Sequence, residues 1–119
     1  MYEVNRSLVL LKPRQPFADW LLALPGQQAD VTLDALRDSA NALLIPVAED
    51  LDEIAALLAE RMDDLFEAEL ADWCDDQTLW PTPRTLDVFR AWFDVEIHPV
   101  VTDLADAPLA REAFRPFES

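Results

Sequence analysis

The sequence predicts an α+β domain, or a small α/β one, with about three strands in one small sheet covered by about four helices, the longest near residues 50–73. Three observations lead there. Two apolar runs of strand length, residues 7–11 and 42–47, alternate with segments whose apolar side chains recur at helical intervals. One such segment, residues 50–73, is long enough to span about 36 Å at 1.5 Å per residue. A third short stretch, residues 95–98, alternates apolar and polar with the period of a half-exposed strand.

Each element has a local reason. The run Ser-Leu-Val-Leu-Leu at residues 7–11 ends at Lys12-Pro13, and its uninterrupted apolarity suits a central strand covered on both sides. Phe17, Trp20, Leu21 and Leu24 then keep helical spacing until Pro25-Gly26 stops the segment. Thr32 is placed to cap a second helix by accepting from the amide of Ala35, with Leu33 and Leu36 turned inward and an end near Ser39. Pro46 inside the second strand marks either an edge position or the strand's end, because proline cannot donate to a ladder. On the long helix, Leu51, Ile54, Leu58, Met62, Leu65, Phe66 and Trp73 fall in one stripe at 100° per residue, opposite Glu53, Glu60, Asp63, Asp64 and Glu67. Thr82-Pro83 reads as a cap followed by proline at the first position of a fourth helix, whose buried side is Leu86, Phe89, Trp92 and Phe93. The last strand, 95–98, is expected to run on past Pro99 into Val100 and Val101, and a tail carrying Pro108 and Pro116 to cross the surface anchored by Leu109, Phe114 and Phe117. If strands joined through helices are parallel, their crossovers should be right-handed.

Length and composition frame the chemistry. The 119 residues suit one domain, 1–119, able to bury about 60 to 70% of its unfolded surface. A lone Cys74 cannot form an internal disulfide, no signal-peptide pattern opens the chain, and no apolar run approaches the length of a membrane span. A cytoplasmic location is expected. Net charge −15 works against direct contact with nucleic acid or an anionic membrane. Residues 49–76 hold twelve carboxylates against one cation, Arg61, and so carry −11 of that total.

Motifs exclude more than they suggest. Gly26 is the only glycine, so neither a dinucleotide-binding turn nor a P-loop can be built in its usual form, and no EF-hand loop fits. One histidine and one cysteine exclude paired-ligand zinc motifs. Cys74 and His98 would need to meet for nucleophilic chemistry, and Asp72, Asp75 and Asp76 beside the thiol oppose its ionisation. Asp63, Asp64 and Glu67 could hold a cation with waters, but a solvated helix face explains them better. No cofactor, metal site or catalytic residue is expected.

The acids at residues 49–53 suit the positive N-terminus of the long helix. Those at its C-terminal end do not, and Glu69 and Asp72 project back into the apolar stripe. Either the helix stops near Ala68, or these acids meet a cation; Arg84 is the candidate, in an internal ion pair with Glu69 or Asp72. Trp80, in a proline-flanked loop, is a candidate anchor for a partner, since tryptophan is over-represented among interface hot spots.

The pieces Asn5-Arg6-Ser7 with the strand ending in Lys12-Pro13, then Pro16-Phe17-x-x-Trp20, then Trp80-Pro81-x-x-Arg84-Thr85-x-x-x-Phe89-x-x-Trp92-Phe93, resemble a family of small acidic bacterial conserved hypothetical proteins. The resemblance covers most of the chain. It implies a bacterial, cytoplasmic protein and brings no catalytic residues. The function expected is a non-catalytic interaction module that docks a basic protein through Glu53, Glu60, Asp63, Asp64, Glu67 and Trp80, and a homo-oligomer is compatible with it. The alternative is a nucleic-acid mimic in which Glu60, Asp64 and Glu67 imitate a row of phosphates at about 5 to 6 Å. A small hydrolase-type enzyme is the distant third.

Overall fold

In the computed structural model, which describes residues 1–26 and 30–113, the order of elements is β1 (Tyr2–Glu3), β2 (Arg6–Pro13), α1 (Gln15–Leu22), α2 (Leu33–Asp38), β3 (Asn41–Pro46), α3 (Leu51–Ala71), α4 (Leu86–Trp92), β4 (Phe93–His98) and β5 (Thr102–Asp103). A single 3₁₀ turn, Gln77–Leu79, lies between α3 and α4. The fold is mixed α+β with two small antiparallel sheets, one of order β3-β2-β4 and one of order β1-β5.

β2 is the central strand, and β3, with Pro46 opposite Arg6, is an edge. The pairing is antiparallel on both sides of β2, so no crossover between adjacent strands has a hand to choose. Between β2 and β3 the two helices α1 and α2 bring the chain back to the end of the sheet it left, which suits an antiparallel neighbour. Burial alternates along β2. Ser7, Val9, Leu11 and Pro13 are buried, and the residues between them are half-buried, so the helices cover one face and the expectation of two covered faces gives way. On the other face Lys12 Nζ donates to Glu96 Oε1 at 3.1 Å, and His98 Nε2 lies 2.8 Å from Glu96 Oε2.

The core joins that sheet face to α1, α3 and α4. Phe17, Phe66, Phe89 and Phe93 are all at most 2% exposed. Their rings meet in edge and tilted contacts, with Phe66 and Phe93 5.5 Å apart and Phe89 and Phe93 5.2 Å apart. Such aromatic pairs add about 0.5–1.5 kcal/mol each beyond the burial of area.

Caps set the helix starts. Thr32 Oγ1 accepts from Ala35 N at 3.1 Å, Asp50 Oδ1 from Glu53 N at 2.9 Å, and Thr85 Oγ1 from Val88 N at 3.2 Å. The last bond places the start of α4 at Leu86, three residues beyond the expected Thr82-Pro83 cap. Phe93, expected on α4, opens β4 directly; its ring packs in the core from either period, so the sequence pattern does not separate them. The strand stops at His98, and Thr102–Asp103 pairs instead with Tyr2–Glu3. Trp73, expected in the stripe, lies past the end of α3 at 44% exposure. Leu109, expected to anchor the tail, is 63% exposed, while Phe114, Pro116 and Phe117 lie outside the described residues. No helix among the described residues is long and apolar enough to cross a membrane.

Candidate functional site

α3 carries the acidic segment, and the structure sorts its carboxylates by what each one meets. At the N-terminus Glu53 completes a reciprocal cap: its amide donates to Asp50, and its Oε2 accepts from Glu49 N at 2.9 Å. This satisfies one of the donors that a helix start leaves orphaned, the Glu53 amide, and ties the residue before the cap to the first turn. Glu53 is thereby committed to the fold.

At the middle of the helix Glu60, Asp63 and Asp64 are exposed, with no hydrogen bond or ion pair to the described residues. Residues three and four apart on a helix sit about 5 to 6 Å from one another, so the three carboxylates form one patch. Glu67, one turn further, is different. Its Oε1 accepts from Arg84 Nη2 at 3.0 Å, with the side chains 29% and 21% exposed. This corrects the expected ion pair: Arg84 takes Glu67 and not Glu69 or Asp72. The loop after the 3₁₀ turn delivers Arg84 to the flank of α3, where Nη1 also donates to Pro81 O at 3.2 Å and the guanidinium stands 5.7 Å from the Trp80 ring. The same contact removes Glu67 from the phosphate-like row proposed with Glu60 and Asp64.

Trp80 is 6% exposed and donates through Nε1 to Cys74 O at 2.8 Å. Trp20 Nε1 donates to Leu79 O at 2.9 Å. The two indoles thus tie the α3–α4 loop to the core, and Trp80 is a structural anchor of that loop where the sequence suggested a surface anchor.

The C-terminal end of α3 holds the least expected group. The helix continues to Ala71, Glu69 sits in the apolar stripe as its projection requires, and it is 7% exposed. What meets it is an amide. Asn41 Nδ2, on β3, donates to Glu69 Oε1 at 2.8 Å and lies 3.5 Å from Asp72 Oδ2. Burial raises the Glu69 pKa to about 7, against the lowering effect of the Asn41 hydrogen bond and with a further rise from the Asp72 charge. A carboxyl that exchanges its proton near neutrality is what general-acid chemistry uses. Its surroundings do not serve that use: the cleft around Asn41, Glu69, Asp72 and Trp73 measures about 140 Å³, below the roughly 300 Å³ at which organic ligands are enclosed.

The remaining candidates stay apart. Cys74 Sγ points to Asp76 O at 3.6 Å and His98 to Glu96, with no bond between thiol and imidazole. Hydrogen bonds from the Thr78 hydroxyl and amide hold the Asp76 pKa low, and His98 and Lys12 do the same for Glu96. Among the described residues no three histidine, cysteine or carboxylate side chains are grouped to hold a metal ion. Sequence reading missed Asn41, and no local signal marks it: it opens an apolar run 28 residues from the acid it meets. Comparison with protein-family models, with curated proteins and with solved structures finds no match to this chain.

Proposed function

We propose that the chain is a non-catalytic interaction module that docks a basic protein through Glu60, Asp63 and Asp64 on α3. The observation that carries this reading is the division of labour along the helix. Glu53 caps, Glu67 binds Arg84 and Glu69 is buried on Asn41, whereas the three middle acids contribute nothing to the fold that the structure records. Clustered like charges on one helix face cost stability, and an opposite surface would relieve that cost.

Magnitude sets the kind of complex. Exposed ion pairs bring about 0.2–1 kcal/mol each, so three of them supply about 1–3 kcal/mol and mostly accelerate encounter. The complex is therefore weak and salt-sensitive unless apolar contacts join it. The test is fluorescence anisotropy of a labelled lysine- and arginine-rich peptide at two ionic strengths. Glu60→Lys/Asp63→Lys/Asp64→Lys should weaken binding at least about tenfold more than reversal of Glu3, Asp38 and Asp106, which changes net charge equally at other exposed positions. Equal losses in the two variants would show that only net charge matters. For a partner that also binds DNA, displacement of the protein by excess duplex would favour the nucleic-acid mimic instead.

A further inference from the structure

In a chain with 24 acids, cations without a carboxylate partner are conspicuous, and three of them gather at one place. Lys12, Arg14, Arg37 and Arg84 are all ion-paired. Arg6, Arg61 and Arg111 are not paired with any acid among the described residues, and all three line a cleft of about 600 Å³ between β3 and α3. The rest of its wall is mostly apolar, with Leu57 and Leu65 from the helix and the consecutive residues 43–46 of β3. Successive strand residues point to opposite faces of a sheet, so a cleft touching all four of them runs along the strand's edge and not over one face. Among the described residues that edge is open: β3 pairs there only with β2, and β1 and β5 form their own sheet.

We propose that this cleft receives an extended acidic segment of a second protein, which adds a strand to the free edge of β3 and sets its carboxylates against Arg6, Arg61 and Arg111. Backbone pairing with the edge supplies register, and alternate side chains of the incoming strand fall on the leucine wall and on the arginines. Guanidinium groups favour this ligand, since they bind carboxylates in pairs of parallel hydrogen bonds. The net charge of the molecule opposes an anion at long range. At physiological salt, however, fields are screened over about 8 Å, so the three arginines in contact outweigh the more distant acids, and of the helix acids Asp64, three residues from Arg61, stands nearest. A second copy of this chain fits less well, because two β3 edges paired about a two-fold axis would bring six guanidiniums together.

The experiment uses the full chain and three blocked, labelled hexapeptides alternating valine with glutamate, glutamine or lysine. The glutamate peptide should bind at least tenfold more tightly than either of the others, and Arg61→Gln/Arg111→Gln should remove that preference. Both arginines are exposed, so the variant is expected to melt with the wild type. Hydrogen exchange adds a readout that charge alone does not move: amides on the outer edge of β3 should slow when the glutamate peptide binds. Equal affinity for the three peptides, an unchanged preference in the variant, or no protection of β3 would each overturn the proposal. So would laurate binding the cleft while the glutamate peptide does not, or sedimentation showing a dimer that the peptide cannot dissociate.

Discussion

Substitution of Glu69 tests the energetics of the long helix most sharply. The carboxyl is 7% exposed, with a folded-state pKa of about 7 against 4.5 for the ordinary side chain. The folded protein thus holds this proton more tightly than the unfolded chain does. Between pH 4.5 and 7 the native state is protonated at Glu69 while the unfolded state is not, and stability falls as pH rises through that window. At about 1.36 kcal/mol per unit of pKa difference, the loss approaches about 3 kcal/mol above pH 7. Glu69→Gln keeps the oxygen that accepts from Asn41 and removes the titration. The variant should match the wild type near pH 4.5 and gain on it steadily up to pH 8, where the difference reaches about 3 kcal/mol. Urea denaturation at half-unit steps of pH measures both proteins, and NMR titration of the Glu69 side-chain carbonyl reads the pKa itself. Stability curves that stay parallel across the window would refute the argument, because they would mean that Glu69 is already ionised in the fold at little cost.

Three other substitutions probe separate parts of the structure by thermal or urea denaturation. Phe66→Ala empties the centre of the aromatic cluster and should cost about 3–5 kcal/mol; a loss below about 1 kcal/mol would show that α3 is not packed on β4 and α4 as described. Asp50→Ala removes the acceptor of the Glu53 amide and should cost about 1 kcal/mol, with no change expected if the first turn of α3 frays. Arg84→Ala breaks a partly buried pair, leaves Glu67 without its cation and removes the guanidinium from the Trp80 ring, at about 1–3 kcal/mol. If the loop were held by its indole hydrogen bonds alone, Arg84→Ala would be neutral.

The legible parts of the fold were those with a one-dimensional signature. Thr32 could be assigned as a cap because a hydroxyl three residues before an amide is a local pattern, and the bond to Ala35 N is present. Pro46 marks an edge position or a strand's end because a missing donor is a property of one residue. The projection that turned Glu69 inward also depends only on sequence position, and the side chain is buried. The partners of these residues were not legible in the same way. Whether Arg84 reaches Glu67, Glu69 or Asp72 depends on how a loop of turn-forming residues carries it across the helix, which spacing does not encode. Asn41 meets Glu69 because an edge strand and a helix end converge from 28 positions apart. The two-residue strands β1 and β5 are too short to show a period, and Trp80 reads as exposed from its proline-rich neighbours although tertiary packing buries it.

The candidate site divides along the same line. That the helix carries a surplus of acid is plain from composition, but which acids are left over after the fold has used the rest is visible only in three dimensions: Glu53 and Glu67 leave the patch, and Glu60, Asp63 and Asp64 remain. The cleft at β3 had still less signal, since Arg6, Arg61 and Arg111 are spread over the whole chain.

The central claim is that this remaining patch is a docking surface, and NMR mapping addresses it most directly. A lysine- and arginine-rich peptide is titrated into the labelled protein at low salt, and backbone shifts are followed residue by residue. The account predicts that the largest changes fall on residues 60–64 and vanish when salt is raised. Changes spread evenly over all exposed acids, or centred on the capped first turn of α3, would contradict it.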